Sequence, residues 1–136
     1  GEGPEKGNIK NLADKNPFLN GRVKLLGPVP NSEIPGLFEV SDVFLMPSRE
    51  EGFPRVILES WAMGIPVVAA DVGVVRELMP LEYQDFVVSE GDIAGFVMAI
   101  LKSFIIDREI ERNRLHDYVE KYNLPNVAEQ FIALIS

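Results

Sequence analysis

The chain has 136 residues, a formal net charge of −8, no cysteine and a single histidine, His116. Its length suits one domain with a buried core. The acidic balance argues against non-specific binding to nucleic acid, because that affinity requires clustered Lys and Arg. Without cysteine there is no disulfide or thiolate metal site, and one histidine excludes a histidine-based metal cluster.

The chain contains no apolar run of about 18 residues that would span a membrane, and no signal peptide. Membrane association is therefore not encoded in this sequence. We expect a soluble protein, with the cytoplasm as the default compartment.

Four short β-branched runs lack polar alternation and predict strands buried on both faces, as in a parallel sheet: 23–26, 43–46, 67–70 and 86–88. Segments of helical length precede or separate them, at 5–14, 32–40, 54–63, 74–79 and 92–104. This order predicts an α/β fold, a Rossmann-like open parallel sheet with helices on both faces. Two further helices, 107–121 and 125–134, form a helical tail, so we treat residues 1–136 as a single domain.

The stretch SREEGFPRVILESWAMGIPVV, residues 48–68, joins a predicted strand to a helix whose first residue is predicted to be Pro54. The helix therefore begins at the carboxyl edge of the sheet, where open parallel sheets bind their ligands. Its N-terminus offers unpaired N–H groups and a partial positive charge. An anionic group would bind there in spite of the acidic composition.

Two carboxylates in this stretch have two interpretations. In the first, Glu59 forms a surface pair with Arg55, worth about 0.2–0.5 kcal/mol, and Glu51 is a solvated loop residue. In the second, a helix that is apolar on most sides is buried, and its carboxylate must find hydrogen-bond donors. The hydroxyl groups of a bound polyol would supply them.

The run from Val23 to about Asp92 resembles the C-terminal, nucleotide-sugar-binding half of retaining glycosyltransferases of family 4, also called group 1, which have the two-domain GT-B architecture. The matching features are RVKLLGPVP before a helix, SDVFLMPSREEGFPRVILESWAMGIPVVAADVGVVREL, and VVSEGD before another helix. Their centre is the acidic pair of that family, Glu51 and Glu59. The resemblance covers about half of the chain directly.

The resemblance implies a role for each site residue. Glu59 matches the glutamate that accepts hydrogen bonds from the ribose, and Glu51 matches the catalytic-site glutamate that orients the donor sugar or stabilises charge. The sugar and diphosphate are expected near the N–H groups at the start of the helix: Gly52, Phe53, Pro54, Arg55 and Val56. Pro54 itself has no N–H to offer. The base is expected to stack on the loop formed by Gly27, Pro28 and Val29.

Other positions are given structural interpretations. Val74 stands where the family often has a second glycine after Gly73, which is a departure from the pattern. Asp92 is interpreted as a helix N-cap or first-turn residue, Trp61 as core and His116 as a surface residue.

The sequence also predicts what the chain lacks. It begins at Gly1-Glu2-Gly3-Pro4, which resembles a turn that follows a strand, so we expect truncation on the N-terminal side. Family members carry a cationic Arg and Lys ahead of this turn, and an N-terminal domain that holds the acceptor. We therefore expect a metal-independent, cofactor-free donor-binding domain that binds a nucleotide-diphospho-sugar and is inactive alone in the transfer of a hexose-type sugar. Apolar surface left by a missing strand or domain would favour self-association.

Two alternatives remain open. A nucleotide-sugar epimerase shares the two-domain architecture, but it needs acid and base residues that the sequence does not indicate. A non-catalytic nucleotide-binding relic would keep the fold without the activity.

Overall fold

A computed structural model describes residues 3–121 of the chain. Its backbone groups into two compact units, residues 1–36 and 37–136, and each is described by itself. The predicted tail helix 125–134 lies outside the described residues. The expectation of a single domain stays a prediction.

The first unit contains helix α1, Lys6–Lys15, which confirms the helix predicted at 5–14. The helix ends at Asn16 because Pro17 follows, and the residue before a proline avoids the helical conformation. The Asn16 side chain then accepts a 2.9 Å hydrogen bond from the Phe18 N–H. A 3₁₀ turn, Asn31–Glu33, leads into helix α2, Ile34–Glu39, where helix 32–40 was predicted, and the boundary between the units falls inside α2.

The strand predicted at 23–26 is wrong, because these residues carry no strand. A β-strand is defined by a ladder of hydrogen bonds to a neighbour, and no residue in the described range pairs with this run. Val23 and Leu26 are 40% and 57% exposed, so the run is not buried on both faces either. An apolar β-branched run is therefore not sufficient to form a strand.

The second unit is built on three parallel strands, β1 (Phe44–Met46), β2 (Val67–Ala70) and β3 (Val87–Val88), in the order β1-β2-β3. Phe44 pairs with Val67, and Ala69 pairs with Val87. Every residue of the central strand β2 is buried, as the unbroken apolar run predicts. The sheet confirms an open, parallel, Rossmann-like α/β arrangement, consistent with one half of a GT-B fold.

Four helices follow the predicted order: α3 (Arg55–Ala62), α4 (Val75–Leu78), α5 (Ile93–Ser103) and α6 (Arg108–Glu120). The caps explain two of the starts. Asp92 accepts a 2.9 Å hydrogen bond from the Gly95 N–H, which confirms it as the N-cap of α5. Asp107 caps α6 in the same way, accepting from the N–H groups of Glu109 and Ile110.

One element was not predicted, a six-residue 3₁₀ segment at Leu81–Phe86 that precedes β3. Pro80 opens it, and its Tyr83 and Phe86 side chains are buried in the core. The segment also anchors α6, since the Tyr118 hydroxyl donates a hydrogen bond to Glu82. Burial and this bond raise the pKa of Tyr118 to about 12, and the same bond holds the pKa of Glu82 below its ordinary value.

The core lies around Trp61 of α3, which is fully buried, as predicted. Its ring is 6.2 Å from that of Tyr83 and 6.4 Å from that of Tyr118. Ile57 and Leu115 are also fully buried, and they join α3 and α6 to the sheet side of the cluster. Burial and packing at these positions fix the orientation of α3, and therefore of the loop that precedes it.

A polar cluster lies inside this core. Trp61 Nε1, Tyr83 OH and Glu111 Oε1 are buried and have no hydrogen-bond partner in the described range. Burial, followed by the neighbouring Glu111 carboxylate, raises the pKa of Tyr83 above its ordinary value. The other oxygen of Glu111 lies 3.8 Å from Arg114 Nη1, and the Arg114 side chain is half exposed.

Helix α5 and the turn after it expose a large apolar surface. Its members are 49–83% exposed: Ile93, Val97, Met98, Leu101, Phe104 and Ile105. Monomeric proteins seldom expose a contiguous patch of this kind, which is typical of a contact surface. No helix in residues 3–121 has the length and apolar character needed to cross a bilayer.

Self-association through this surface stays a prediction. We expect light scattering at rising concentration to give a mass above that of one chain, and we expect Met98→Glu to reduce it by placing a charge in the patch. Leu12→Glu is the matched control, because Leu12 is equally exposed, at 65% against 66%, but lies in α1. A monomeric wild type, or equal masses for the wild type and Met98→Glu, would contradict the prediction.

Candidate functional site at the carboxyl edge of the sheet

Three loops meet at the carboxyl edge of the sheet, residues 47–54 after β1, 71–74 after β2 and 89–92 after β3. The first and third are linked by an ion pair of 3.6 Å between Arg49 Nε and Glu90 Oε1. The second is tied to β3 by a 2.8 Å hydrogen bond from the Asp71 N–H to the Val88 carbonyl. Parallel strands bring these loops together because all three end at the same edge.

The start of α3 differs slightly from the prediction. Pro54 is the N-cap, with φ −80° and ψ 79°, and the first helical residue is Arg55. These angles are those of an inverse γ-turn, which the 2.9 Å hydrogen bond from the Arg55 N–H to the Phe53 carbonyl closes. The prediction of Pro54 as the first helical residue is therefore wrong by one position.

The γ-turn decides which backbone donors are available. In the described range, the N–H groups of Gly52, Phe53 and Val56 donate to no protein acceptor, whereas that of Arg55 is already bonded to Phe53. No side chain caps the helix. Three of the residues predicted to bind the donor thus present free N–H groups at a helix N-terminus, where an anion is stabilised.

Glu59 is exposed, which corrects the expectation that α3 would bury it. The buried residues of α3 are Ile57, Ser60 and Trp61, a stripe at helical spacing, and Glu59 lies away from that stripe. The alternative interpretation also fails, because no ion pair joins Arg55 to Glu59 in the part of the chain that the structure describes. Glu59 is thus a solvated carboxylate, open to a ligand.

Glu51 is half-buried, and within residues 3–121 its carboxylate has no hydrogen-bond or ion-pair partner. Its carbonyl oxygen, in contrast, is closely packed. It lies against Gly73, which has a φ of +55°. The loops after β1 and β2 therefore touch through their backbones at Glu51 and Gly73.

The loop at Gly27, Pro28 and Val29 belongs to the first unit and is described by itself. Gly27 has a φ of +72°, a conformation that glycine adopts readily. Gly27 and Val29 are half-buried and Pro28 is exposed. Their role in stacking a base stays a prediction.

One polar network near the site was not predicted. Arg76 of α4 lies 2.7 Å from Asp71 at the end of β2, and it also donates to Gln84 at 3.0 Å. The hydrogen bond with Asp71 raises the pKa of Arg76 above its ordinary value. The network fixes the loop after β2, and the five-residue separation of Asp71 and Arg76 was the available sequence signal.

The departure at Val74 is visible in the structure. Its side chain is 39% exposed and precedes α4. Glu77, one of the matching acids, is exposed on α4 and faces solvent. His116 is likewise exposed on α6, as predicted for a surface residue.

The fold and the open carboxyl edge define a Rossmann-like α/β protein with an anion-compatible binding edge. The sequence profile of the family described as Glycosyl transferases group 1 matches residues 1–104. The chain therefore belongs to the group 1 glycosyltransferase family.

Curated relatives agree with this assignment. The chain is 33% identical, over 96% of its length and 29% of theirs, to a phosphatidylinositol N-acetylglucosaminyltransferase subunit of Arabidopsis thaliana. It is 30% identical to the UDP-Gal:alpha-D-GlcNAc-diphosphoundecaprenol alpha-1,3-galactosyltransferase of Escherichia coli, over 75% of the chain and 26% of that protein. It is 32% identical to the N-acetyl-alpha-D-glucosaminyl L-malate synthase of Bacillus anthracis, over 83% of the chain and 29% of that protein. The chain thus spans less than a third of the length of these relatives.

Proposed function

We propose that this chain binds the nucleotide-diphospho-sugar donor of a retaining glycosyltransferase that transfers a hexose-type sugar. The observation that carries the proposal is the start of α3. Three free N–H groups, at Gly52, Phe53 and Val56, lie between two carboxylates that have no protein partner in the described range, Glu51 and Glu59. This sequence of acceptor, donors and acceptor matches a sugar, a diphosphate and a ribose.

Each part of the ligand has a group of suitable chemistry. The diphosphate would accept hydrogen bonds from the free N–H groups and gain from the helix dipole. The ribose hydroxyls would donate to the exposed Glu59 carboxylate, as charge-assisted hydrogen bonds. Glu51 would lie beside the sugar, where it orients the ring or stabilises positive charge that develops during transfer.

The proposed reaction needs no metal or other cofactor, because N–H donors and cations would stabilise the leaving diphosphate. The three loops and the start of α3 carry only two cations, Arg49 and Arg55, and both are exposed. We propose that these 136 residues bind the donor but do not transfer its sugar without an acceptor-binding domain. An assay for transfer and hydrolysis tests this, with EDTA added in a parallel sample.

The binding proposal is tested by calorimetric titration with UDP-, GDP- and ADP-sugars. We expect Glu59→Ala to weaken binding by about 10-fold, equivalent to about 1.4 kcal/mol, because the ribose loses a charged acceptor. Glu109→Ala is the matched control, since Glu109 is also exposed but lies on α6.

Two outcomes would contradict the proposal. If no nucleotide sugar binds at millimolar concentration, the chain does not hold the donor. If Glu59→Ala and Glu109→Ala bind equally well, the ribose does not contact Glu59. Conversion of a bound sugar to its epimer would favour the epimerase alternative.

A further inference from the structure

Gly73 lies at the point where the loops after β1 and β2 make contact. Its φ of +55° is in the left-handed region, which side chains rarely adopt. A Cβ built on Gly73 would overlap the carbonyl oxygen of Glu51 and lie 3.0 Å from its carbonyl carbon. It would also lie 3.4 Å from the carbonyl oxygen of Gly52. Two independent features therefore require glycine at this position.

The atoms that meet Gly73 are all backbone atoms. A backbone carbonyl cannot rotate away without moving the residues on both sides of it. Gly64 provides a contrast, because it has a similar φ of +71° but a Cβ there would meet only the side chain of Arg112, with Cγ at 2.6 Å. That side chain is long and exposed, so it can shift. A side chain at Gly73 would instead displace the Glu51–Gly52 backbone.

We infer that Gly73 is a positioning residue, whose lack of a side chain fixes the Glu51–Gly52 backbone and so the Glu51 carboxylate and the Gly52 and Phe53 N–H groups. The inference rests on the proposed function for its effect on donor binding. Its structural part does not, because the contact between the two loops is present in the ligand-free chain. Gly73 touches no ligand in this account and acts only through Glu51 and Gly52.

The test compares Gly73→Ala with Gly64→Ala in ligand-free ¹H–¹⁵N spectra. Both substitutions place alanine at positive φ, so both should lower the melting temperature. Only Gly73→Ala should displace the amide signals of Glu51, Gly52 and Phe53. If the two variants leave those signals equally unchanged, the positioning role is wrong.

Titration with UDP, GDP and ADP then measures the consequence for binding. We expect Gly73→Ala to weaken the diphosphate that binds the wild type by about 10-fold, and Gly64→Ala to change it less than about 2-fold. Equal losses in the two variants would reduce Gly73 to a stability effect and overturn the inference. If no diphosphate binds the wild type while Gly73→Ala still displaces the amide signals, the proposed function fails and the structural inference stands.

A measurement on the wild type covers the case in which Gly73→Ala does not fold. Because the Glu51–Gly52 backbone is in contact with Gly73, ¹⁵N relaxation should give order parameters of about 0.85 for both amides, as in rigid backbone. Values below about 0.6 would show a free loop and would overturn the inference.

Discussion

Trp61→Ala is expected to lower the free energy of unfolding by about 3–5 kcal/mol, the usual loss for deleting a buried indole. Trp61 is 0% exposed, and its ring lies among those of Tyr83 and Tyr118. Removing it leaves a cavity between α3, the 3₁₀ segment and α6, which are too firmly connected to close it. Urea denaturation followed by circular dichroism measures the loss, because Trp61 is the only tryptophan and fluorescence would disappear with it.

Trp61→Phe is the matched variant for this measurement. It keeps most of the ring contacts, and it removes the Nε1 donor, which has no hydrogen-bond partner in the described range. We expect a smaller loss, because removing an unsatisfied buried donor offsets part of the lost packing. If Trp61→Ala unfolds within about 1 kcal/mol of the wild type, the indole does not hold α3 to the core.

This packing bears on the site through the helix itself. Ile57 and Trp61 fix one face of α3, and that leaves Glu59 on the solvent side of the same helix. A helix that rotated to bury Glu59 would have to expose Trp61. The core of this protein therefore decides the direction of the carboxylate that we propose for the ribose.

The sequence predicted elements well where a single feature decided them. Strand β2 was correct at both ends, because its unbroken apolar run is buried on both faces between two neighbours. Helix α5 followed from its N-cap at Asp92. The strand predicted at 23–26 failed because strand formation depends on a partner, and residue types do not reveal whether one is present.

The candidate site was predicted in its position but not in its details. The Glu-Gly-Phe-Pro stretch gave the carboxyl edge and the helix start. The exposure of Glu59 depends on which face of α3 meets the sheet, and a helix apolar on several sides leaves that choice open. The contact of Gly73 with Glu51 joins two loops far apart in sequence, so no local pattern could have predicted it.

The buried carboxylate of Glu111 was also beyond sequence reasoning, because α6 alternates charged and apolar residues and gives no sign of which acid is covered. Glu111 is 3% exposed, and one of its oxygens has no hydrogen-bond partner in the described range. The cation paired with it, Arg114, is 3.8 Å away and partly solvated. The burial of this charge is therefore poorly compensated.

We expect Glu111→Leu to raise the free energy of unfolding by about 1–4 kcal/mol, since apolar replacements of poorly paired buried charges are often stabilising. The half-exposed Arg114 would lose its partner but keep its contact with water. Urea denaturation measures the change. Absorbance titration provides a second measurement, because loss of the neighbouring carboxylate should move the ionisation of Tyr83 to lower pH while burial still holds it above its ordinary value.

Arg114→Met is the matched variant and should have the opposite sign, because it removes the cation paired with Glu111 and leaves that charge buried without a counter-charge in the described range. In the Glu111→Leu background the same Arg114→Met change should have almost no effect, and that difference measures the coupling between the two residues. A loss of stability for Glu111→Leu alone would show instead that the carboxylate is satisfied by ordered water and contributes to holding α6 against Tyr83 and Trp61.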